Sequence, residues 1–171
     1  MSTTFITNEQ LYRQVIEPVA KASSFVWIGT ADIKDLHVHY KGRVQSFLAM
    51  LDGLLKRRVA IRLLHAKEPG ANFRRSFDKY PMLWDSMERQ LCPRVHFKNI
   101  IIDGKFAYSG SANLTGAGLG IKSPDNRNFE SGFITTDPDI VRAIMNQFDE
   151  VWLGKYCRDC GRKDFCPDPI I

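Results

Sequence analysis

The chain has 171 residues, 44% of them apolar and 25% charged, with a net charge of +5. That composition excludes a mainly disordered, collagen-like or coiled-coil chain, no apolar run approaches the ~18 residues of a membrane span, and the polar N-terminal stretch lacks the basic-then-apolar order of a signal peptide. The length suits one domain with its own core, the expected location is cytoplasmic, and the basic balance favours an anionic partner such as nucleic acid or a phospholipid headgroup.

Asn8 to Lys21 carries Leu11, Val15, Ile16 and Val19 at helical spacing, with Asn8 in position to cap. Phe25 to Gly29 reads as a buried strand. Val44, Phe47, Leu48, Leu51, Leu54 and Leu55 mark an amphipathic helix that ends near Lys56-Arg57-Arg58, where cations suit the helix dipole. Val59 to Leu64 is a second buried strand, broken by Glu68-Pro69-Gly70. Pro81 to Gln90 is expected to be helical, with Pro81 in its first turn. Val95 to Ile102 is a strand rich in β-branched residues, Asp103-Gly104 is a hairpin signal, and Lys105 to Ser111 is the returning strand. Leu114 to Asn126 is a Gly-rich loop and Phe129 to Thr135 a fifth strand. Asp137 caps a last helix with Ile140, Ile144, Phe148 and Val151 on one face. Helix–strand alternation followed by a hairpin predicts an α/β fold, a mixed β-sheet flanked by helices on both faces. The expected division is a domain over 1–154 and a cysteine-rich tail over 155–171.

The hairpin brings chemistry together. A two-residue turn at Asp103-Gly104 pairs Ile102 with Lys105, which sets His96 opposite Ser111, Lys98 opposite Ser109 and Asn113 opposite Arg94. Opposed and alternate residues share a face, so His96, Lys98, Ser111 and Asn113 are expected on one side of the sheet. Opposed Cβ atoms lie about 5 Å apart and diagonal ones about 7–8 Å. A bulge at Gly110 would shift this register and scatter the group. The patch suits a phosphodiester: Lys98 is a point charge for a phosphate oxygen, and Asn113 and Ser111 are neutral donors. An imidazole, with an ordinary pKa of about 6.5, can act as a neutral nucleophile near pH 7. Glu130, in the next strand, is the candidate acceptor for the other ring nitrogen of His96.

His96-Phe97-Lys98, four residues, Asp103, six residues and Gly110-Ser111-Ala112-Asn113 together resemble the signature motif of the phospholipase D superfamily. Asn128-Phe129-Glu130 resembles its downstream acidic element. The resemblance implies a phospholipase D-like half-domain. In this family one motif histidine forms a covalent phosphohistidine, a second protonates the leaving group, and catalysis needs no metal. By position, His96 would be nucleophile or acid, Lys98 and Asn113 would bind phosphate, Ser111 would assist and Glu130 would orient His96. Asp103 belongs to the motif, but the strand carries it roughly 23 Å from His96, so it is read as structural. The chain holds one copy of the motif, and His37, His39 and His65 lack matching context. The mechanism's two histidines then imply a two-fold homodimer with the active site across the axis. Sixteen residues separate Asn113 from Glu130, including Gly116, Gly118, Gly120, Lys122 and Arg127. They read as a rim that steers a polyanion or as a tolerated insertion.

Cys157-x2-Cys160-x5-Cys166 carries half of a zinc-ribbon signal, and strand directions place Cys92 at the same end of the sheet. The expectation is a structural zinc held by Cys92, Cys157, Cys160 and Cys166. An iron–sulfur cluster is the competing metal, and buried apolar filling is the plain alternative. For function, the leading expectation is a phosphodiesterase that cleaves nucleic acid. A phospholipase or phosphatidyl transferase is the rival, with Phe73, Phe77 and Trp84 as lipid contacts. A nucleic-acid-binding module with a relict site is the third. Membrane association is not expected. Lys56-Arg57-Arg58 and Arg74-Arg75 read as backbone-tracking cations or as solvated helix ends, and His37 and His39 as surface.

Overall fold

The computed structural model describes residues 1–170. Nine strands and five helical elements follow in chain order: β1 (Thr3–Thr7), α1 (a π-helical turn at Tyr12–Ile16 running into Glu17–Val19), β2 (Phe25–Thr30), β3 (His37–Tyr40), β4 (Arg43–Ser46), α2 (Phe47–Lys56), β5 (Ala60–His65), α3 (Ala71–Phe77), α4 (Pro81–Asp85), β6 (Met87–Leu91), β7 (Lys98–Ile102), β8 (Phe106–Gly110), β9 (Ser131–Thr135) and α5 (Pro138–Trp152). Seven strands form one sheet in the order β1-β9-β8-β7-β2-β5-β6, and β3 and β4 form a separate hairpin. β2, β5 and β6 run parallel, while β7, β8, β9 and β1 alternate in direction. The sheet is therefore mixed, as expected.

Two cores cover its faces. Ile28, Ile61, Leu63, Ile100 and Tyr108 pack with Leu11 just before α1, Val15 of α1, and Leu51 and Leu54 of α2 on one face. Leu64, Ile101 and Ala107 pack with Val141, Ile144 and Phe148 of α5 on the other. Ser46 Oγ caps α2 by accepting from Leu48 N at 3.1 Å, and Asp137 Oδ1 caps α5 by accepting from Asp139 N at 3.0 Å.

Several elements depart from expectation. Residues 81–90 are not one helix: the helix stops at Asp85, Ser86 leaves helical geometry, and Met87–Leu91 is an edge strand beside β5. Met87 and Leu91 are both buried and four apart, a spacing that suits one helix face and one strand face equally. β1 has one buried residue, Ile6, so it carries no apolar alternation to read. Val44 is exposed in β4 rather than part of the helix, because Lys41 and Gly42, both at positive φ, turn β3 back into β4. Asn8, at φ +48°, does not cap α1 with its side chain: Oδ1 accepts from Glu130 N at 3.1 Å.

The hairpin register is also shifted by one. Asp103 and Gly104 form the expected tight turn, with φ of +54° and +64° and Lys105 N donating to Ile102 O at 3.0 Å. Lys105 is then an extra residue, and the ladder pairs Ile102 with Phe106, Ile100 with Tyr108 and Lys98 with Gly110. Burial explains the shift. The observed register puts Ile100 and Tyr108 together in one core and Ile101 and Ala107 together in the other. The expected register would have paired across cores, and a buried sheet does not tolerate that.

Candidate active site

The motif residues gather at one end of the sheet. β2 and β8 end there, at Thr30 and Gly110, and β7 and β9 begin there, at Lys98 and Ser131. Facing side chains on paired strands do not bring them together, as the sequence had suggested, since Lys98 stands opposite Gly110 and Ser109 opposite Asn99. The group survives because regular pairing stops at Gly110. Beyond it the chain leaves the ladder, so Ser111 and Asn113 are free of its alternation. Gly110 is required: a Cβ there would stand 2.5 Å from Ser131 O and 2.8 Å from Gly132 Cα.

His96 is exposed and lies in the irregular segment just before β7. Lys98 is 7% exposed; its Nζ donates to His96 O at 2.6 Å and stands 3.3 and 3.4 Å from the two ring nitrogens. Burial lowers the pKa of Lys98, and the nearby Glu130 carboxylate opposes the shift. Ser111 Oγ donates to Glu130 Oε2 and accepts from Ser131 N at 3.1 Å. Glu130 Oε1 accepts from Asn128 Nδ2 at 2.9 Å. The sequence expectation that Glu130 holds His96 is therefore not met: its carboxylate braces Ser111 and sits within electrostatic reach of Lys98. The strand register explains this, since Glu130 precedes β9 and lies on the far side of Ser111 from β7.

Asn113 joins from the other side. Its Oδ1 accepts from Asp32 N at 3.1 Å, which leaves Nδ2 unbonded among the described residues. Thr30 Oγ1 donates to Asp32 O at 2.8 Å and accepts from Leu114 N at 3.2 Å, so the loops after β2 and β8 are stitched together. Asp32 also lines a cleft of about 710 Å³ with Lys34, Lys67, Asn72 and Phe73. Tyr108 is buried beneath the site, its OH accepts from Ala112 N at 3.3 Å, and burial pushes its pKa up to about 12. Sequence reasoning did not single out Thr30, Asp32 or Tyr108, which act through folding contacts with the motif; Asn128 was named only as part of the Asn128-Phe129-Glu130 element, with no role of its own.

Asp103 lies at the opposite end of the sheet. Its carboxylate accepts from Ser23 N at 2.9 Å, Ser23 Oγ at 2.8 Å, Ser24 N at 2.7 Å and Phe25 N at 2.9 Å. Burial alone would raise its pKa, but these hydrogen bonds together hold it below the ordinary value. It fastens the hairpin to the start of β2, as expected for a structural residue.

The 114–129 loop packs inward at its base, where Leu119 is buried and Arg127 pairs with Glu9 at 3.1 Å, and exposes its tip at Ile121–Asn126. Of the residues weighed as lipid contacts, Phe73 and Phe77 are core and only Trp84 is exposed. His65 is buried with Nδ1 at 2.8 Å from Lys67 O, and His37 and His39 are exposed on β3. Among the described residues, none of the three has a side-chain hydrogen bond to a motif residue.

All four cysteines are free thiols and line one small pocket with Arg94 and Arg162. Among the described residues, no three His, Cys, Asp or Glu side chains stand as a ready-made metal group. The convergence of the thiols matches expectation; a preformed zinc sphere does not. No helix among the described residues is long and apolar enough to cross a membrane.

The profile of the family described as "Cardiolipin synthase, PLD-like domain" matches residues 15–152. Against curated protein sequences the chain finds no match. Among solved structures it is similar to NucT from Helicobacter pylori, with a TM-score of 0.63 at 14% identity, covering 87% of this chain and 94% of that one. Nuc from Salmonella typhimurium, described as a phospholipase D family member, gives a TM-score of 0.63 at 14% identity over 88% and 93%. A phosphatidylserine synthase from Haemophilus influenzae Rd KW20 gives 0.59 at 14% identity, over 88% of this chain but 38% of that one. At such identity these likenesses are of fold. The profile covers most of the chain and includes the whole motif cluster, so the protein belongs to the phospholipase D superfamily.

Proposed function

We propose that the protein is a nuclease that hydrolyses nucleic-acid phosphodiester bonds through a covalent phosphohistidine. The observation that carries this reading is the convergence of Lys98, His96, Ser111, Asn113 and Glu130 at one end of the sheet. Lys98, beside the imidazole, supplies positive charge to the phosphate where burial keeps water from screening it. Asn113 offers Nδ2 to a second oxygen. His96 attacks phosphorus: a P–N bond forms, the P–O ester bond breaks, and the leaving oxygen takes a proton. Water then attacks the phosphohistidine, the P–N bond breaks, and the water's proton passes to the same acid–base group. His65 is buried and His37 and His39 stand on the separate β3–β4 hairpin, so the acid in this reading is the partner's His96 in a two-fold homodimer. Phe129, 96% exposed beside Glu130, is an apolar surface for that second copy.

The net charge of +5 supports nucleic acid, and the fold spans nearly all of the NucT and Nuc chains. The family description and the synthase fold support phospholipid as a second reading, but this chain spans under half of that synthase and exposes only Trp84 of its three lipid-contact candidates. The test offers the protein labelled single- and double-stranded DNA and RNA beside anionic phospholipid vesicles. Cleavage of a nucleic acid, with binding that weakens steeply as salt rises, supports the proposal. Hydrolysis of phospholipid alone would replace it with the second reading.

A further inference from the structure

We infer that the four cysteines bind one structural zinc ion that clamps the C-terminal tail to the segment leading into His96. The first observation is burial. Between Lys155 and Ile170 the only side chains not exposed are Cys157, Cys160, Cys166 and Pro169. A stretch with no buried large apolar side chain has no core to hold it, and small units of this kind depend on a staple. The secondary structure agrees: after α5 the chain forms successive turns and a single 3-10 turn at Lys163–Phe165.

The second observation is convergence across the sequence. Cys92 lies sixty-five positions before Cys157, just after edge strand β6, yet the four thiols line one pocket. Few other contacts bring the tail there. Asp168 accepts from Leu91 N at 3.0 Å, and Arg162 Nη1 donates to Pro93 O at 3.3 Å. The Cys157-x2-Cys160 turn is followed by Gly161 and closes with Cys160 N donating to Cys157 O at 3.3 Å, the hook spacing for a tetrahedral ion.

The third is charge. Four thiolates around a divalent cation leave a doubly negative centre. Arg94, Arg162 and Lys163 line the pocket, and Arg94 Nη1 stands 3.6 Å from Cys160 Sγ. Cationic side chains directed at sulfur stabilise thiolates and offset that charge. The thiols surround the pocket without forming a ready group, so binding includes side-chain rotation to bring each sulfur to about 2.3 Å from the ion. Zinc suits the donor set because it needs no redox partner and takes thiolates tetrahedrally. Residues 92–97, which carry His96, run irregularly from Cys92 to β7. A metal bond to Cys92 would fix their start; the link to catalysis rests on the proposed role of His96, while the metal site does not.

The full chain is expressed in medium supplied with both zinc and iron, and its metal content is measured by elemental analysis and native mass spectrometry. Cysteines are alkylated with and without chelator, and cobalt-substituted protein is scanned for thiolate charge-transfer and tetrahedral bands. The expected result is about one zinc per chain, alkylation of all four cysteines only after chelation, and loss of the ion in Cys92→Ser while Ser109→Ala retains it. Less than about half an equivalent of metal, free alkylation of the untreated protein, a disulfide seen by mass, or an iron chromophore in place of zinc would each overturn the inference. Metal content and alkylation of the wild type decide the matter even where Cys92→Ser does not fold.

Discussion

Asp103→Ala should cost stability and leave the chemistry nearly intact, although Asp103 is a letter of the catalytic motif. Its carboxylate receives four hydrogen bonds of 2.7–2.9 Å from Ser23, Ser24 and Phe25. Hydrogen bonds to charged groups contribute about 1.5–3 kcal/mol each when buried. Ser23 and Ser24 are exposed, so water replaces much of what is lost, and the set is worth about 2–3 kcal/mol. Alanine must also hold φ near +54°, which costs about 1 kcal/mol more. A loss of roughly 3–4 kcal/mol is a large part of the 5–15 kcal/mol that stabilises a domain, and corresponds to a fall in Tm of about 10 °C. Asp103→Asn retains a side chain that tolerates this φ, so it should lose less. The depressed Asp103 pKa sets the pH dependence. Its contribution is present above the unfolded value of about 4 and disappears as pH falls through the lower folded value, so wild type and variant should converge in stability in strong acid. Five residue steps along β7 separate Lys98 from Asp103, about 17 Å of strand, so kcat/KM measured well below the variant's Tm should stay within about threefold of wild type. Thermal and urea melts followed by circular dichroism, paired with cleavage assays at low temperature, check both halves. A variant that melts like wild type yet loses activity 100-fold or more (about 2.7 kcal/mol of transition-state stabilisation) would refute the reasoning.

Lys98 should set an alkaline limb. Burial lowers its pKa, so the ammonium is lost at lower pH than in an ordinary lysine; Lys98→Arg should retain weak activity and move that limb upward in a pH–rate profile. Ser111 and Glu130 share a hydrogen bond, so Ser111→Ala and Glu130→Gln should be non-additive in kcat/KM by about 1–2 kcal/mol; strict additivity would contradict the bracing role. In subunit-mixing experiments, equal amounts of wild type and His96→Ala allowed to exchange should leave about a quarter of the activity if each site needs both copies' histidines, whereas a half would mean independent sites. Buried His65 has its pKa lowered by desolvation, so its contribution to stability is full above about pH 6.5 and declines as pH falls below that; His65→Gln, in melts across pH 5–7, should flatten that decline.

The sheet was readable wherever a strand was buried on both faces. β2 is a nearly continuous apolar run, and β5 and β7 are apolar apart from Arg62, His65, Lys98 and Asn99, so composition marks all three. β1 and β6 escaped because edge strands bury few side chains: Ile6 alone in one, and Met87 and Leu91 at helical spacing in the other. The hairpin turn was evident from Asp103-Gly104, yet the register was not. Register depends on which core each of Ile100, Ile101 and Ile102 enters, and three consecutive isoleucines look alike until the helices on both faces are in place. The site's membership followed from motif spacing, which records where the strands end. Its internal wiring did not. That Glu130 braces Ser111 rather than His96, and that Asp32 N holds Asn113, are consequences of how loops leave the sheet.

The central claim is that His96 performs the chemistry at this end of the sheet. Its most direct test is cleavage of the preferred labelled nucleic acid by wild type and by His96→Ala, purified alike and matched for fold and assembly. The account predicts cleavage by wild type and a loss of about 10³-fold or more in the variant, the range expected when a nucleophile is removed. Equal cleavage by both proteins would place the activity elsewhere and contradict the account.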